Sequence, residues 1–255
     1  MNAPLHCKTL GQGPPLVLLH GWAMHGGLWG PVAEDLARGH RVLLVDLPGH
    51  GLSPPAAVEL EAWAAAVEAV LPPEPVRLAG WSLGGLVALA LAPRLGGRVE
   101  RLALVAGTPC FVRRPGWPHG VAPELLADFA AALQSDPAGT VQRFLALQCR
   151  GAEGGRETLR ALRAALAARP EPAPTVLAAG LRLLEGTDLR GELAALSMPV
   201  LFLGGGRDTL VPAAALEAAA AAVPRARVEV IEGAGHAPFL SHPGRCAPLL
   251  EGFFA

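Results

Sequence analysis

The sequence predicts an α/β fold: a mostly parallel sheet with helices on both faces and a helical cap insertion. Three observations predict it. Short apolar runs alternate with helix-length patterns along most of the 255 residues. The runs are nearly continuous Val and Leu, as strands covered on both faces require. The alternation then stops between Phe111 and Thr187, where only helical patterns occur.

In chain order, Leu5–Thr9 reads as a short antiparallel edge strand. Pro15–His20, Arg41–Asp46, Val76–Trp81, Arg101–Ala106, Pro199–Gly204 and Arg227–Ile231 read as buried strands, each short, rich in Val and Leu and closed at or just after its end by a polar or turn-forming residue. Helices are expected at Leu28–Ala37, Val58–Leu71, Leu83–Leu95, Ala213–Val223 and Arg245–Phe253. Within 111–187, Glu124–Leu133, Val141–Cys149, Glu157–Ala168 and Val176–Glu185 read as four helices separated by Gly and Pro. A helical insertion in a parallel sheet usually caps the end of the strands where ligands bind. The reading is one domain over 1–255 with a cap at 111–187.

Composition narrows the function. Hydrophobic residues make up 51% and charged residues 17%, which argues against disorder. The net charge of −1 offers no basic field for nucleic acid. Mean hydropathy is high, at +0.37, but the longest uncharged stretch weighed as a span, Leu78 to Pro93, is interrupted by Gly80, Ser82, Gly84 and Gly85 and is too short to cross a bilayer. No membrane partner is expected. The N-terminus shows no signal peptide, and the four cysteines form no CxxC pair, so a cytoplasmic protein with reduced thiols is expected. The histidines and cysteines show no metal-binding spacing and no dinucleotide fingerprint is in place, so neither metal nor cofactor is expected.

Gly80-Trp81-Ser82-Leu83-Gly84 matches G-x-S-x-G where a strand meets a helix. A serine on so sharp a turn needs neighbours without bulk, and the helix start directs N–H groups at developing negative charge. The alternative is a Gly-rich helix start with an N-cap serine. A nucleophilic serine needs a base, and the base an orienting carboxylate. Asp208 follows the strand Pro199–Gly204 and His236 follows Arg227–Ile231, so both reach the sheet edge where Ser82 lies, in the chain order Ser, Asp, His. Asp46 looks like a turn aspartate in DLPGHG. Asp35, Asp128, Asp136 and Asp188 are less well placed, and His242 reads as lying near a helix start. His20, His25 and His50 remain alternative bases near the same edge. The oxyanion of an acyl-transfer intermediate needs two donors. Candidates are the N–H of Leu83, just after the serine, and that of Trp22, in the turn after the first buried strand.

These residues resemble the α/β-hydrolases across nearly the whole chain: HGW at 20–22, DLPGHGLS at 46–53, GWSLGG at 80–85 and the Asp208/His236 pair. Within that superfamily LVLLHGW (16–22), GWSLGGLVA (80–88), TPCF (108–111), RFLALQ (143–148), TDLR (187–190) and HAPFLSHP (236–243) look like the esterases that cleave the methyl ester of pimeloyl-acyl carrier protein in biotin synthesis. The resemblance implies an α/β-hydrolase fold, a Ser82–Asp208–His236 triad and no cofactor. It implies an acyl pocket of Trp22, Leu83, Phe144, Leu145, Ala146, Leu147 and Gln148, and an acyl carrier protein as partner; separately, a monomer is expected. A broad small-ester, lactone or peroxy-acid hydrolase, or a non-catalytic binding protein of the same fold, are the alternatives.

Residues 143–169 carry six arginines against two glutamates, in a chain that is net negative. Arg156, Arg160 and Arg163 fall along one helix face. With Arg143 they are the expected landing site for an acidic carrier, the alternative being a solvated helix face partly paired with its own glutamates.

Overall fold

The computed structural model describes residues 3–255. Seven strands form one sheet: β1 (Cys7–Leu10), β2 (Pro15–Leu19), β3 (Arg41–Val45), β4 (Val76–Trp81), β5 (Val99–Val105), β6 (Val200–Gly205) and β7 (Ala226–Ile231). Their order across the sheet is β1-β3-β2-β4-β5-β6-β7. β1 runs antiparallel to β3 and every other pair is parallel, as the sequence predicts. β2 is buried at every position and β4 at all but Arg77, whereas β1 and β7, at the edges, are largely half-buried or exposed. This is why the central strands read as unbroken apolar runs.

Helices α1 (Gly30–Leu36), α2 (Leu60–Glu68), α3 (Leu83–Leu95), α8 (Ala213–Ala220), α9 (Pro238–Ser241) and α10 (Pro243–Phe254) cover the sheet. Between β5 and β6 come α4 (Pro123–Ala132), α5 (Pro137–Gln148), α6 (Gly155–Ala167) and α7 (Pro174–Gly186). A short looped excursion precedes them, with isolated bridges pairing Val112 with Val121 and Arg114 with Trp117. The helix starts differ from the sequence expectation by a few residues because Pro sits in the first turn of α4, α5, α7 and α10. Proline's fixed φ and missing N–H suit that position. In α5 the carboxylate of Asp136 caps the helix through Gly139 N–H, so the helix starts at Pro137, four residues before Val141.

The core is continuous through both layers. Leu16–Leu19 of β2, Leu102–Val105 of β5 and Leu86–Leu89 of α3 belong to the same buried cluster as Phe144, Leu145, Leu162 and Leu177 of the inserted helices. The carboxyl ends of the six parallel strands lie at one edge, so the loops after β2, β4, β6 and β7 meet there, against the inserted helices. Among the described residues no helix is long and apolar enough to cross a membrane.

Candidate active site

Ser82 follows β4 with φ +54° and ψ −118°, a conformation that strains any residue bearing a Cβ. The turn is possible because of its flanking glycines. A Cβ on Gly80 would overlap the main chain of Gly84, and one on Gly84 would stand 2.5 Å from the carbonyl oxygen of His20. The serine occupies the N-cap position of α3 but makes no capping bond. Its Oγ instead lies 2.8 Å from His236 Nε2. His236 Nδ1 is 2.8 Å from Asp208 Oδ2. The other carboxylate oxygen, Oδ1, accepts the N–H groups of Leu210 and Val211 at 2.8 and 3.0 Å. Ser82, Asp208 and His236 are all buried. With Asp208 accepting from Nδ1–H, the proton of a neutral imidazole stays on Nδ1, and Nε2 offers its lone pair to the serine hydroxyl.

Leu83 directly follows the serine and Trp22 follows Gly21, which packs against it, and each offers a main-chain N–H. Among the described residues neither has a hydrogen-bond acceptor, and a Cβ on Gly21 would stand 3.2 Å from the Ser82 Cβ. His20 sets the direction of one of them. Its Nε2 accepts Leu47 N–H, so Nδ1–H donates to the Gly21 carbonyl, each at 2.8 Å. In a trans peptide the carbonyl and N–H point opposite ways, so holding Gly21 O aims Trp22 N–H.

The alternative bases are engaged elsewhere. Burial, with His50 beside it, holds His20 well below the usual histidine range. Burial likewise lowers His50 to about 4; its Nδ1 is 2.9 Å from the Pro48 carbonyl and its Nε2 is buried without a partner. His25 accepts Gly27 N–H at Nδ1 and donates from Nε2 to the Ala165 carbonyl in α6. His242 is the N-cap residue of α10. Asp46 accepts Gly26 N–H on Oδ1 and Leu52 N–H on Oδ2, the turn role expected of it. Asp35 and Asp188 pair with Arg38 and Arg190.

The inserted helices close the site. Trp22 packs on Phe144 with ring centroids 4.7 Å apart, and its indole N–H donates to the Leu177 carbonyl at 2.8 Å. A Cβ on Gly180 would stand 2.6 Å from the Trp22 ring, so α7 lies directly on it. The Gln148 carbonyl, ending α5, accepts His236 N–H at 3.1 Å. Of the expected acyl-pocket residues, Phe144, Leu145 and Gln148 are buried, Leu147 is half-buried and Ala146 is exposed, lining an outer recess with Cys149 and Leu159. Helical spacing explains the split: 144 and 148 share a face, and 146 points the other way. The buried Gln148 side-chain oxygen has no partner. A second, largely apolar recess of about 80 Å³ opens between α5 and α7, lined by Pro137, Val141, Leu166, Pro174 and Leu177 among others.

Arg156, Arg160 and Arg163 are exposed on α6 while Leu162 and Leu166 are buried under it. Arg160 is 3.9 Å from Glu157, and Arg163 Nε donates to Gln142 Oε1. Arg143 differs: it is drawn back onto its own helix start, on Asp136 and Thr140. Two contacts were not legible in the sequence, the Gln148 carbonyl on His236 and the Trp81 indole on the same residue. Main-chain acceptors leave no residue-type signal, and the tryptophan was visible only as the variable position of the serine motif.

A buried serine–imidazole–carboxylate line at the carboxyl edge of a parallel sheet is the arrangement by which hydrolases activate serine. The chain belongs to the alpha/beta hydrolase fold family, whose profile matches residues 14–243. It is similar at 47% identity to a pimeloyl-[acyl-carrier protein] methyl ester esterase of Xanthomonas oryzae pv. oryzae, over 98% of this chain and 99% of that one. A protein of the same name from Aeromonas hydrophila is 48% identical over 96% of this chain and 97% of its own length. Among solved structures, an esterase from Rhodococcus sp. ECU1013 superposes with a TM-score of 0.80 at 30% identity, covering 98% of this chain and 94% of that one.

Proposed function

We propose that the chain is a serine carboxylesterase that hydrolyses the methyl ester of pimeloyl-acyl carrier protein to pimeloyl-acyl carrier protein and methanol. The Ser82–His236–Asp208 line carries this reading, and near-full-length similarity to esterases of that name supports the substrate. Ser82 Oγ attacks the ester carbonyl as His236 Nε2 takes its proton. Asp208 holds the imidazole and stabilises the imidazolium. The N–H groups of Trp22 and Leu83 receive the oxyanion, the latter from the start of α3. His236 returns the proton to methanol, then activates the water that releases the acid. No step calls for a cofactor.

In this reading the four helices between β5 and β6 are a cap. Trp22, Phe144 and Gln148 line the acyl path beneath it, and the unpartnered Gln148 amide oxygen faces substrate. Arg156, Arg160 and Arg163 present the cap's positive face to the acidic carrier. The carrier thioester then stays outside while the distal methyl ester reaches Ser82. Arg143, neutralised by Asp136, contributes less. The enzyme acts in the cytoplasm as a monomer, in keeping with a site built from one chain and with free cysteines.

The test compares the carrier-linked methyl ester with p-nitrophenyl butyrate, using wild type and Ser82→Ala. The carrier substrate is expected to have the far higher kcat/KM, with Ser82→Ala losing on the order of 10⁴–10⁶ in turnover on both. A folded Ser82→Ala retaining a tenth of wild-type turnover overturns the nucleophile. Rapid cleavage of small esters or lactones without cleavage of the carrier ester favours a broad esterase instead.

A further inference from the structure

Trp81 ends β4 and directly precedes Ser82. It is fully buried. Its indole Nε1–H donates to the main-chain carbonyl of His236 at 2.7 Å, joining points 155 residues apart. Its ring is tilted against the His236 imidazole, centroids 5.8 Å apart, and meets Phe239 edge-on at 5.2 Å. The far edge of the indole presses on Gly21, where a Cβ would stand 2.8 Å from Trp81 Cε3. One stiff side chain thus touches the loop bearing His236 and the loop bearing Trp22, while its own backbone leads into the nucleophile.

The histidine loop needs such a hold. Residues 232–237 lie between β7 and α9 with no regular structure of their own. The backbone of His236 is fixed at two atoms: its N–H by the Gln148 carbonyl and its C=O by Trp81. A buried carbonyl deprived of its donor turns to find another. That rotation swings the Cα–Cβ bond and carries Nε2 away from Ser82 Oγ, now 2.8 Å distant.

We propose that Trp81 is a positioning residue for the reaction: its indole N–H, acting on the His236 carbonyl, sets the reach of the acid–base histidine to Ser82. The proposal rests on the triad reading above. Trp81 touches no reacting atom, so its removal acts on turnover rather than on substrate affinity.

Trp81→Phe keeps an aromatic ring against Gly21 and Phe239 but has no donor. The kcat for p-nitrophenyl butyrate is expected to fall on the order of 10- to 100-fold, the scale of a small misplacement of a catalytic group. KM stays within about twofold, and labelling of Ser82 by a fluorophosphonate slows by the same factor as kcat. Because Phe is smaller than Trp, a second pair of proteins separates shape from hydrogen bonding. Benzothienylalanine placed at 81 has the bicyclic shape without the N–H and is expected to reproduce the loss. 4-Fluorotryptophan at 81, which keeps the N–H, is expected to restore the rate. Wild-type kcat with benzothienylalanine overturns the proposal and makes Trp81 a packing residue only. Ser82→Ala run alongside separates the two layers: activity surviving in that variant overturns the triad itself, whereas an inactive Ser82→Ala beside a fully active benzothienylalanine protein overturns only the role of Trp81.

Discussion

Replacing Asp208 by Asn is expected to reverse the proton order of the whole site. The carboxylate uses Oδ1 for Leu210 and Val211 N–H and Oδ2 for His236 Nδ1. An Asn at 208 keeps the two main-chain donors satisfied only by aiming its carbonyl oxygen at them, which turns its NH₂ toward His236. Nδ1 must then accept, so the imidazole proton moves to Nε2, where it points at Ser82 and removes the lone pair the serine needs. The turn after β6 keeps both its hydrogen bonds, so the fold stays intact. The loss falls on kcat, about 10⁴-fold, or roughly 5 kcal/mol of transition-state stabilisation. Steady-state hydrolysis of a soluble ester by wild type and Asp208→Asn, with thermal unfolding of each, reads both quantities. Asp46→Asn supplies the contrast. Its two oxygens each accept a main-chain N–H, an amide can accept only one of them, and the orphaned donor costs about 1–3 kcal/mol of stability with little change in turnover of the folded fraction. A folded Asp208→Asn with more than a tenth of wild-type kcat, or a larger catalytic loss in Asp46→Asn, would refute the assignment of the acid.

Three further outcomes are expected. His50 is lowered to about 4 by burial, below the unfolded value near 6.5, so its contribution is complete above pH 6.5 and is lost as pH falls toward 4; wild type should lose about 3 kcal/mol of urea-unfolding free energy from this group over that window, and His50→Phe should show a correspondingly flatter profile. Gly84→Ala would set a methyl 2.5 Å from the His20 carbonyl oxygen and 2.7 Å from that of Leu19, main-chain atoms that cannot step aside; overpacking of about 1–3 kcal/mol should lower the melting temperature, and an unchanged melting temperature would contradict the close approach of α3 to β2. Reversing Arg156, Arg160 and Arg163 to Glu should raise KM for the carrier-linked ester strongly while leaving a small ester unaffected, and salt should weaken the wild type on the carrier-linked ester but not on the small one; equal loss on both substrates would point to damage of the helices and no loss on either would remove the docking reading.

The central strands were readable because both their faces are covered, which leaves runs such as Leu16–Leu19 with no polar member. Ser82 was readable because its turn forbids side chains at Gly80 and Gly84, a constraint that sterics writes into the residue types themselves. Asp208 and His236 followed from their places after β6 and β7. The start of α5 was placed at Val141 because the apolar period begins there, whereas the helix begins at Pro137 under the Asp136 cap. The bridges at Val112–Val121 left no trace, being isolated pairs in an irregular loop. The inward and outward faces of α5 were not separated by a resemblance that spans 144–148 without a break; the structure separates them at Ala146.

Four bonds that tie the inserted segment to the sheet edge share one property. Trp22, His25 and His236 donate to the carbonyls of Leu177, Ala165 and Gln148, and Glu153 N–H donates to the Gly233 carbonyl. On the side of the inserted segment each of these four atoms is peptide; the Glu153 carboxylate, 3.7 Å from Arg207, adds a side-chain tie at the exposed rim. These four bonds therefore do not depend on which side chains the helices carry, whereas the packing of Phe144 and Gly180 on Trp22 does. A helical layer held in this way is open to revision on its outer face, where exposed residues such as Arg156, Arg160 and Arg163 can change without breaking any of the four bonds.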